Sequence, residues 1–251
     1  LSRGDCRIGG LSRGGDVRNT ARALRRLGVA MGPWGSEPLL LRGAGLGGWR
    51  EPAGVLDFGN SGTGIRLMAG LLAAHPFFSV LTGDRYLRRR PMRRVAEPLR
   101  LMGAHICGRA GGTLAPLAIE GTRLAGIAYR SPVSSAQVKS ALLLAGLLAG
   151  GETAVAEPAL APDHTERMLR HFGVGVRTDG ATVSVGGVGE WAARDLSVPG
   201  DPSSAAFLVA AAVISPDAEI LVRDVCVNPT RTGFFEILRA MGGRVRFSRR
   251  R

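Results

Sequence analysis

Four copies of the pattern Leu-Arg-x-apolar-Gly punctuate this 251-residue chain. They lie at positions 24–28, 99–103, 169–173 and 238–242, so the closing glycines Gly28, Gly103, Gly173 and Gly242 recur every 69–75 residues. Each copy reads as the last turn of an amphipathic helix. Glycine takes the left-handed position just past the helix, and arginine sits against the negative end of the helix dipole. A second element recurs between these stops, a small polar cluster that opens an apolar run. Its copies are Asn60-Ser61-Gly62-Thr63, Ser134-Ser135-Ala136-Gln137 and Asp201-Pro202-Ser203-Ser204. A period of about 70 residues holds several secondary elements, so one supersecondary unit is expected to be used three or more times. That length excludes a solenoid of short repeats.

Helix starts are expected at Asp16 as a cap, at Pro91 as a first helical residue, at Asp163-His164-Thr165-Glu166 and at Asn228-Pro229-Thr230. Short apolar runs at Leu39–Leu41, Val80–Thr82, Ala118–Glu120, Thr182–Val185 and Ile220–Arg223 read as strands. The resulting order is strand, helix, strand, helix, then one or two more strands, which predicts an α/β fold with mixed sheets. Leu1 is not an initiator methionine, and Phe247–Arg251 follows what reads as a new strand. The chain is therefore expected to be a fragment lacking both ends.

Composition narrows the function classes. The net charge of +13 raises the question of nucleic acid, yet all but one of the 33 Lys+Arg residues are arginine, the exception being Lys139. The densest basic run, from Arg85 to Arg94, contains one aromatic residue, Tyr86, and so offers no stacking platform for single strands. No nucleic-acid partner is expected. The longest apolar stretches, 141–148 and 205–214, fall short of the ~18 residues of a membrane span, so no membrane partner is expected either. Cys6, Cys107 and Cys226 are few, odd in number and far apart, which fits a reducing cytoplasm and gives neither a disulfide framework nor a metal site. Gly43–Gly48 matches the dinucleotide pattern G-x-G-x-x-G, but Pro52 follows closely where a helix would have to run, so a turn is expected. Gly59–Gly64 lacks the Lys-Ser/Thr of a phosphate loop, and His164 and His171 have no metal-ligand spacing.

Two clusters carry candidate chemistry. In Gly59–Arg66, small residues admit a ligand to the backbone, a helix start offers free N–H groups, and Arg66 adds a cation. A tight strand-to-helix turn would need the same glycines. In Pro132–Ser140, Ser135 and Gln137 offer a hydroxyl and an amide at a helix start, suited to a polyhydroxylated or phosphorylated ligand. An ordinary cap by Ser134 or Ser135 reads equally well there. Arginine near position 90 would recognise carboxylate or phosphate in bidentate fashion, but residue type alone does not separate Arg88, Arg89 and Arg90.

Several motifs stand in a recognisable order. They are Gly59-Asn60-Ser61-Gly62-Thr63, Gly83-Asp84 with Leu87–Met92, Ser135–Ser140, Asp163–Glu166, Pro199–Ser204 and Asn228–Gly233. Together they closely resemble the 5-enolpyruvylshikimate-3-phosphate synthase family of enolpyruvyl transferases over essentially the whole chain. The resemblance implies two lobes built from βαβαββ units, with residues 1–198 most of one lobe and residues 199–251 the beginning of the other. It implies transfer of the enolpyruvyl group of phosphoenolpyruvate to the 5-hydroxyl of shikimate 3-phosphate, without metal or organic cofactor, by a cytoplasmic protein that is monomeric at full length. Carried over by motif, Gly62, Arg90 and Gln137 belong to the phosphoenolpyruvate pocket. Ser135, Ala136 and Gln137 belong to the shikimate 3-phosphate site, with Asn60, Thr63 and Arg66 in support. The catalytic acid and base, and an early Lys-Ser-x-Ser-x-Arg segment, match nothing in the chain. Gly62 further implies sensitivity to glyphosate. Arg85, Tyr86 and Pro162 depart from the family pattern. Two alternatives stand beside it: the sister enzyme acting on UDP-N-acetylglucosamine, whose reactive loop cysteine has no counterpart in Cys6, Cys107 or Cys226, and a non-enzymatic basic binding module, which leaves the repeated capped helices unexplained.

Overall fold

A computed structural model of the chain describes residues 1–248; Arg249–Arg251, which come after the expected final strand, lie outside the described residues. Two compact units are present, Leu1–Leu196 and Ser197–Arg251. The first runs β1 (Arg3–Gly9), α1 (Gly15–Arg26), β2 (Ala30–Met31), β3 (Leu39–Ala44), β4 (Leu56–Asp57), α2 (Gly62–Ala73), β5 (Phe78–Thr82), α3 (Arg93–Leu101) and β6 (His105–Gly108). It continues through a short turn α4 (Arg109–Gly112), β7 (Leu114–Glu120), β8 (Ala128–Arg130), α5 (Ala136–Gly146), β9 (Glu152–Ala156), α6 (His164–His171), β10 (Val176–Asp179) and β11 (Thr182–Gly186), and ends in the two-residue β12 (Leu196–Ser197), whose second residue falls on the boundary with the next unit. The second unit holds α7 (Pro202–Ile214), a 3-10 turn (Pro229–Arg231) and α8 (Gly233–Ala240). Among the described residues, no helix is long and apolar enough to cross a membrane.

The repeat is visible in the pairing. One sheet has the order β4-β5-β7-β6 and another β8-β9-β11-β10. In each the first pair is parallel and the next two are antiparallel. Both are therefore βαβαββ units. The remaining sheet has the order β12-β1-β3-β2, so β12 takes the place that β4 and β8 hold in the other two. The first unit's leading strand position is thus filled from far along the chain.

All four repeated glycines adopt the left-handed conformation, with φ of 92°, 102°, 80° and 94°. Each closes a complete double-bonded helix stop. Gly28, Gly103, Gly173 and Gly242 donate to Arg25, Arg100, Arg170 and Arg239, and the following residues donate to Leu24, Leu99, Leu169 and Leu238. The arginines do more than face the dipole. Arg100, Arg170 and Arg239 each reach the carbonyl six residues ahead, of Ile106, Val176 and Val245, tying the helix end to the segment that follows.

Several expected boundaries shift. Helix α1 is capped at Gly14 with no side-chain bond, and Asp16 lies in its first turn. Pro91 stays in the loop, because α3 begins at Arg93. Asn228 caps the 3-10 turn, its Oδ1 accepting from Thr230 N–H at 3.0 Å, and α8 starts later, at Gly233. Ile220–Arg223 forms no strand, and Gly43–Gly48 opens no helix. In the second unit, three of the four residues of this expected strand are exposed, Leu221 at 71%, and among the described residues no sheet partner forms.

Helices α2 and α5 are apolar on nearly all sides and form the centre of the first unit, packed on one another with residues such as Ile65, Leu72, Leu142 and Leu143 fully buried. Their approach depends on Gly70, where a Cβ would collide with the Ala141 carbonyl. At the end of α2, His75 is buried at 2% exposure, stacked on Trp49 at 4.7 Å, with Nδ1 2.8 Å from the Leu71 carbonyl oxygen. Burial pushes its pKa down from the ordinary value. The neutral form is favoured in the folded chain, while the unfolded chain takes up a proton near pH 6.5. Stability from this group is therefore full above about pH 6.5 and is lost as pH falls from there toward the depressed folded value. Thermal melts at pH 7.5 and 5.5 should show a larger drop in wild type than in His75→Gln; equal drops would remove His75 as the cause.

Candidate anion-binding site

The turn from β4 into α2 is made by short polar groups. Asp57 Oδ1 accepts from Gly59 N–H at 2.8 Å, Gly59 sits at φ 55°, and Ser61 Oγ accepts from Gly64 N–H at 3.0 Å as the helix cap. These bonds present Gly62 as the first residue of α2 and leave Asn60 exposed beside it. One turn on, Arg66 is buried at 7% exposure. Its Nη1 donates to Gly62 O at 3.1 Å and Gln137 Oε1 at 2.7 Å, and its Nη2 to Pro91 O at 2.9 Å. Burial lowers the Arg66 pKa, and the nearby Arg94 and Arg90 charges lower it further. An arginine remains charged regardless, so this is a place where positive charge is concentrated and under-compensated.

The structure decides among the three consecutive arginines. Asp84 Oδ1 accepts from Tyr86 N–H at 2.9 Å and Leu87 N–H at 2.7 Å, which sets the 3-10 turn Leu87–Arg89. Arg90 leaves that turn extended, and its Nη2 donates to Asn60 Oδ1 at 2.5 Å. A Cβ built on Gly62 would stand 2.8 Å from Arg90 Nη1 and 2.9 Å from Arg66 Nη1. The two guanidinium groups therefore meet over a residue that has no side chain. Their partners are amide and carbonyl oxygens, which hold the cations in place without neutralising them. An anion is the favoured guest of such an arrangement.

Helix α5 joins the same cluster. Gln137 Nε2 donates to Thr63 Oγ1 at 2.8 Å while its Oε1 receives Arg66, so one side chain ties α2 to the α5 start. Ser135 is the cap residue of α5, but its hydroxyl makes no capping bond. Instead its N–H donates to Glu157 Oε1 at 2.8 Å. Ser134 is occupied elsewhere, exchanging two bonds with the backbone of Ala159. Ala136, half-buried, is the first residue of the helix. Asn60, Gly62, Thr63, Arg66, Arg90 and Gln137 thus form one connected set, with Ser135 and Ala136 immediately before Gln137.

The departures have visible consequences. Arg85 and Tyr86 engage one another, through a 2.6 Å bond from Nη2 to the phenol oxygen and a cation–π contact at 4.7 Å, and both remain exposed. They leave the Asp84 turn intact. Pro162 is half-buried in the loop before α6, where it offers neither charge nor donor. Sequence reasoning missed one group altogether, the buried cluster of Lys139, Glu157 and Glu166 beneath the α5 start. Its one available signal was that Lys139 is the only lysine in the chain. In the second unit, Asp201 caps α7 by accepting from Ser203 N–H at 3.2 Å and Ser204 N–H at 3.0 Å.

The profile of the family described as EPSP synthase (3-phosphoshikimate 1-carboxyvinyltransferase) matches residues 1–249. A 3-phosphoshikimate 1-carboxyvinyltransferase from a Geobacter species is 55% identical over 251 residues, covering 100% of this chain and 58% of the relative. The protein of the same description from Geobacter sulfurreducens is 58% identical over 245 residues, 98% of this chain and 57% of the relative. The solved EPSP synthase from Acinetobacter baumannii superposes with a TM-score of 0.90 at 45% identity, covering 96% of this chain and 55% of that one. The chain thus spans little more than half the length of the proteins it matches. The mixed α/β architecture agrees with these matches, and the chain belongs to the EPSP synthase family.

Proposed function

We propose that this chain grips the substrates of an enolpyruvyl transferase, one that moves the enolpyruvyl group of phosphoenolpyruvate to the 5-hydroxyl of shikimate 3-phosphate and releases phosphate. The observation that carries this reading is the convergence of Arg66 and Arg90 over Gly62, with Gln137 linking that point to the α5 start. Both substrates are anions with phosphate groups, and phosphoenolpyruvate adds a carboxylate. Arg90 and the space over Gly62 receive the phosphoenolpyruvate. Ser135, whose hydroxyl is not used as a cap, and the N–H of Ala136 receive the phosphate of the shikimate ligand at a helix N-terminus. Gln137 stands between them. In the reaction implied by the family, C3 of the enol is protonated, the hydroxyl attacks C2, and loss of phosphate and a proton restores the enol. Fixed guanidinium groups stabilise the negative charge on the departing phosphate without having to reorganise. The free cysteines and the lack of a stacking surface in the basic run support a cytoplasmic protein acting on small molecules.

Binding tests this directly. In an NMR titration of the chain with shikimate 3-phosphate, the amides of Ser135–Gln137 should shift. Ser135→Ala and Gln137→Ala should each weaken binding by roughly 1–3 kcal/mol, the cost of leaving a polar partner unpaired. Unchanged affinity in both variants would falsify the assignment.

A further inference from the structure

The only lysine of this arginine-rich chain is buried in the first turn of α5. Lys139 Nζ lies 2.8 Å from Glu166 Oε1, 3.0 Å from Glu157 Oε2 and 3.2 Å from the carbonyl oxygen of Ala161. Its three donors meet three acceptors around a point, a geometry that a compact ammonium satisfies and a planar guanidinium does not. The side chains of all three ionised residues are only 2–3% exposed. Two carboxylates against one ammonium leave a surplus negative charge, and burying a charge beyond what its partner needs is costly. Glu166 alone would neutralise Lys139. The second carboxylate therefore needs another reason to be there, and its other oxygen supplies one. Glu157 Oε1 accepts the Ser135 N–H at 2.8 Å.

The comparison with the other polar helix starts sharpens the point. In α2 the cap hydroxyl of Ser61 is spent on Gly64 N–H, and in α7 Asp201 is spent on Ser203 and Ser204. At α5, unlike α2 and α7, the cap side chain makes no capping bond, and the cap residue is held by its backbone N–H on a buried carboxylate. We infer that Glu157 is a positioning residue, which anchors the Ser135 backbone through its carboxylate so that the Ser135 hydroxyl and the following N–H groups stay directed at a phosphate ester. Lys139 holds Glu157 in place, and Glu166 holds Lys139. The inference rests on the reading of the α5 start as the phosphate site of shikimate 3-phosphate.

The test is an NMR titration of the 251-residue chain with shikimate 3-phosphate and, separately, with shikimate, which lacks the phosphate. Glu157→Ala should lose the protected Ser135 amide and weaken shikimate 3-phosphate at least tenfold, bringing its affinity close to that of shikimate. Glu157→Gln keeps one acceptor for the Ser135 N–H but turns an amide donor toward Lys139, so its affinity should fall between those of wild type and Glu157→Ala. Glu166→Gln keeps an oxygen acceptor for Lys139 and does not touch Ser135, so it should lower the preference for the phosphate ester less than Glu157→Ala does. A merely structural role would lower the fraction of competent protein for both ligands alike and leave their ratio where it was. If Glu157→Ala does not fold, Glu157→Asp carries the test, since its shorter side chain keeps the charge but withdraws from Ser135; it should behave as Glu157→Ala is expected to. An unchanged ligand ratio in the folded Ala or Asp variant, with Ser135→Ala still weakened, would overturn the positioning role alone. Failure of wild type to shift Ser135–Gln137 with shikimate 3-phosphate would overturn the underlying site assignment, and the positioning role with it.

Discussion

Assayed with both substrates, the 251-residue chain is expected to release phosphate no faster than the background without protein. The groups gathered over Gly62 are donors suited to an anion and include neither a general acid nor a general base. Asn60 and Gln137 are amides, Thr63 is an alcohol, and Arg66 and Arg90 stay protonated at neutral pH. Protonating the enol carbon requires an acid, and regenerating the enol requires a base, each within hydrogen-bond reach of the reacting atom. Two carboxylates bonded to the segments that carry these motifs are already committed. Asp84 sets the turn before Arg90, and Glu157 is bonded to Ser135 and Lys139. In the second unit Asp201 caps α7, and Glu236 accepts from Thr232 Oγ1 at 3.2 Å. The measurement is a phosphate-release assay on the purified chain. Turnover above background would mean that one of these carboxylates is free to act after all, or that a different reaction is run.

Replacing Gly62 by alanine should change which anions the space beside Arg90 admits. The added Cβ would stand 2.8 Å from Arg90 Nη1 and 2.9 Å from Arg66 Nη1, too close for either. Arg66 is buried and held by bonds to Gly62, Gln137 and Pro91, whereas Arg90 is exposed and held by Asn60. Arg90 is therefore the group that moves. In a full-length protein carrying this lobe, the methyl group should discriminate by ligand size. Glyphosate, longer than phosphoenolpyruvate, should lose roughly 10–200-fold in affinity, with a smaller loss for the substrate. Inhibition constants for the two forms, measured at matched substrate, decide the matter. Equal values would show that the pocket does not lie over Gly62.

Much of this was legible in the order of residues. The helix stops at Gly28, Gly103, Gly173 and Gly242 could be read because a left-handed residue beside an apolar–basic turn is a local requirement, met within five or six residues. The period of the repeat, the mixed sheets and the candidate residues of both polar clusters followed from the same local chemistry and from the order of the motifs. The misplaced starts of α1, α3 and α8 were local errors too, since Asp16, Pro91 and Asn228 each fit more than one position in a turn.

What the sequence could not convey is which distant groups share a space. Nothing in Arg88-Arg89-Arg90 marks the third; Arg90 is selected because the turn set by Asp84 brings it to Asn60, thirty residues away. Gln137 meets Thr63 and Arg66 across more than seventy residues because α2 and α5 pack closely at Gly70. β12 completes the first sheet from the far end of the unit. The Lys139 cluster is the clearest case. A lysine and two glutamates spread over positions 139, 157 and 166 look like surface charges in a linear reading. Only the packing of α5, β9 and α6 removes them from water, and burial is what obliges them to pair with one another and with Ser135. Local sequence determined the repeating elements and their ends. The tertiary structure decided which charges gather over Gly62 and which are buried together beneath the α5 start, because desolvation and distance are properties of the folded chain alone.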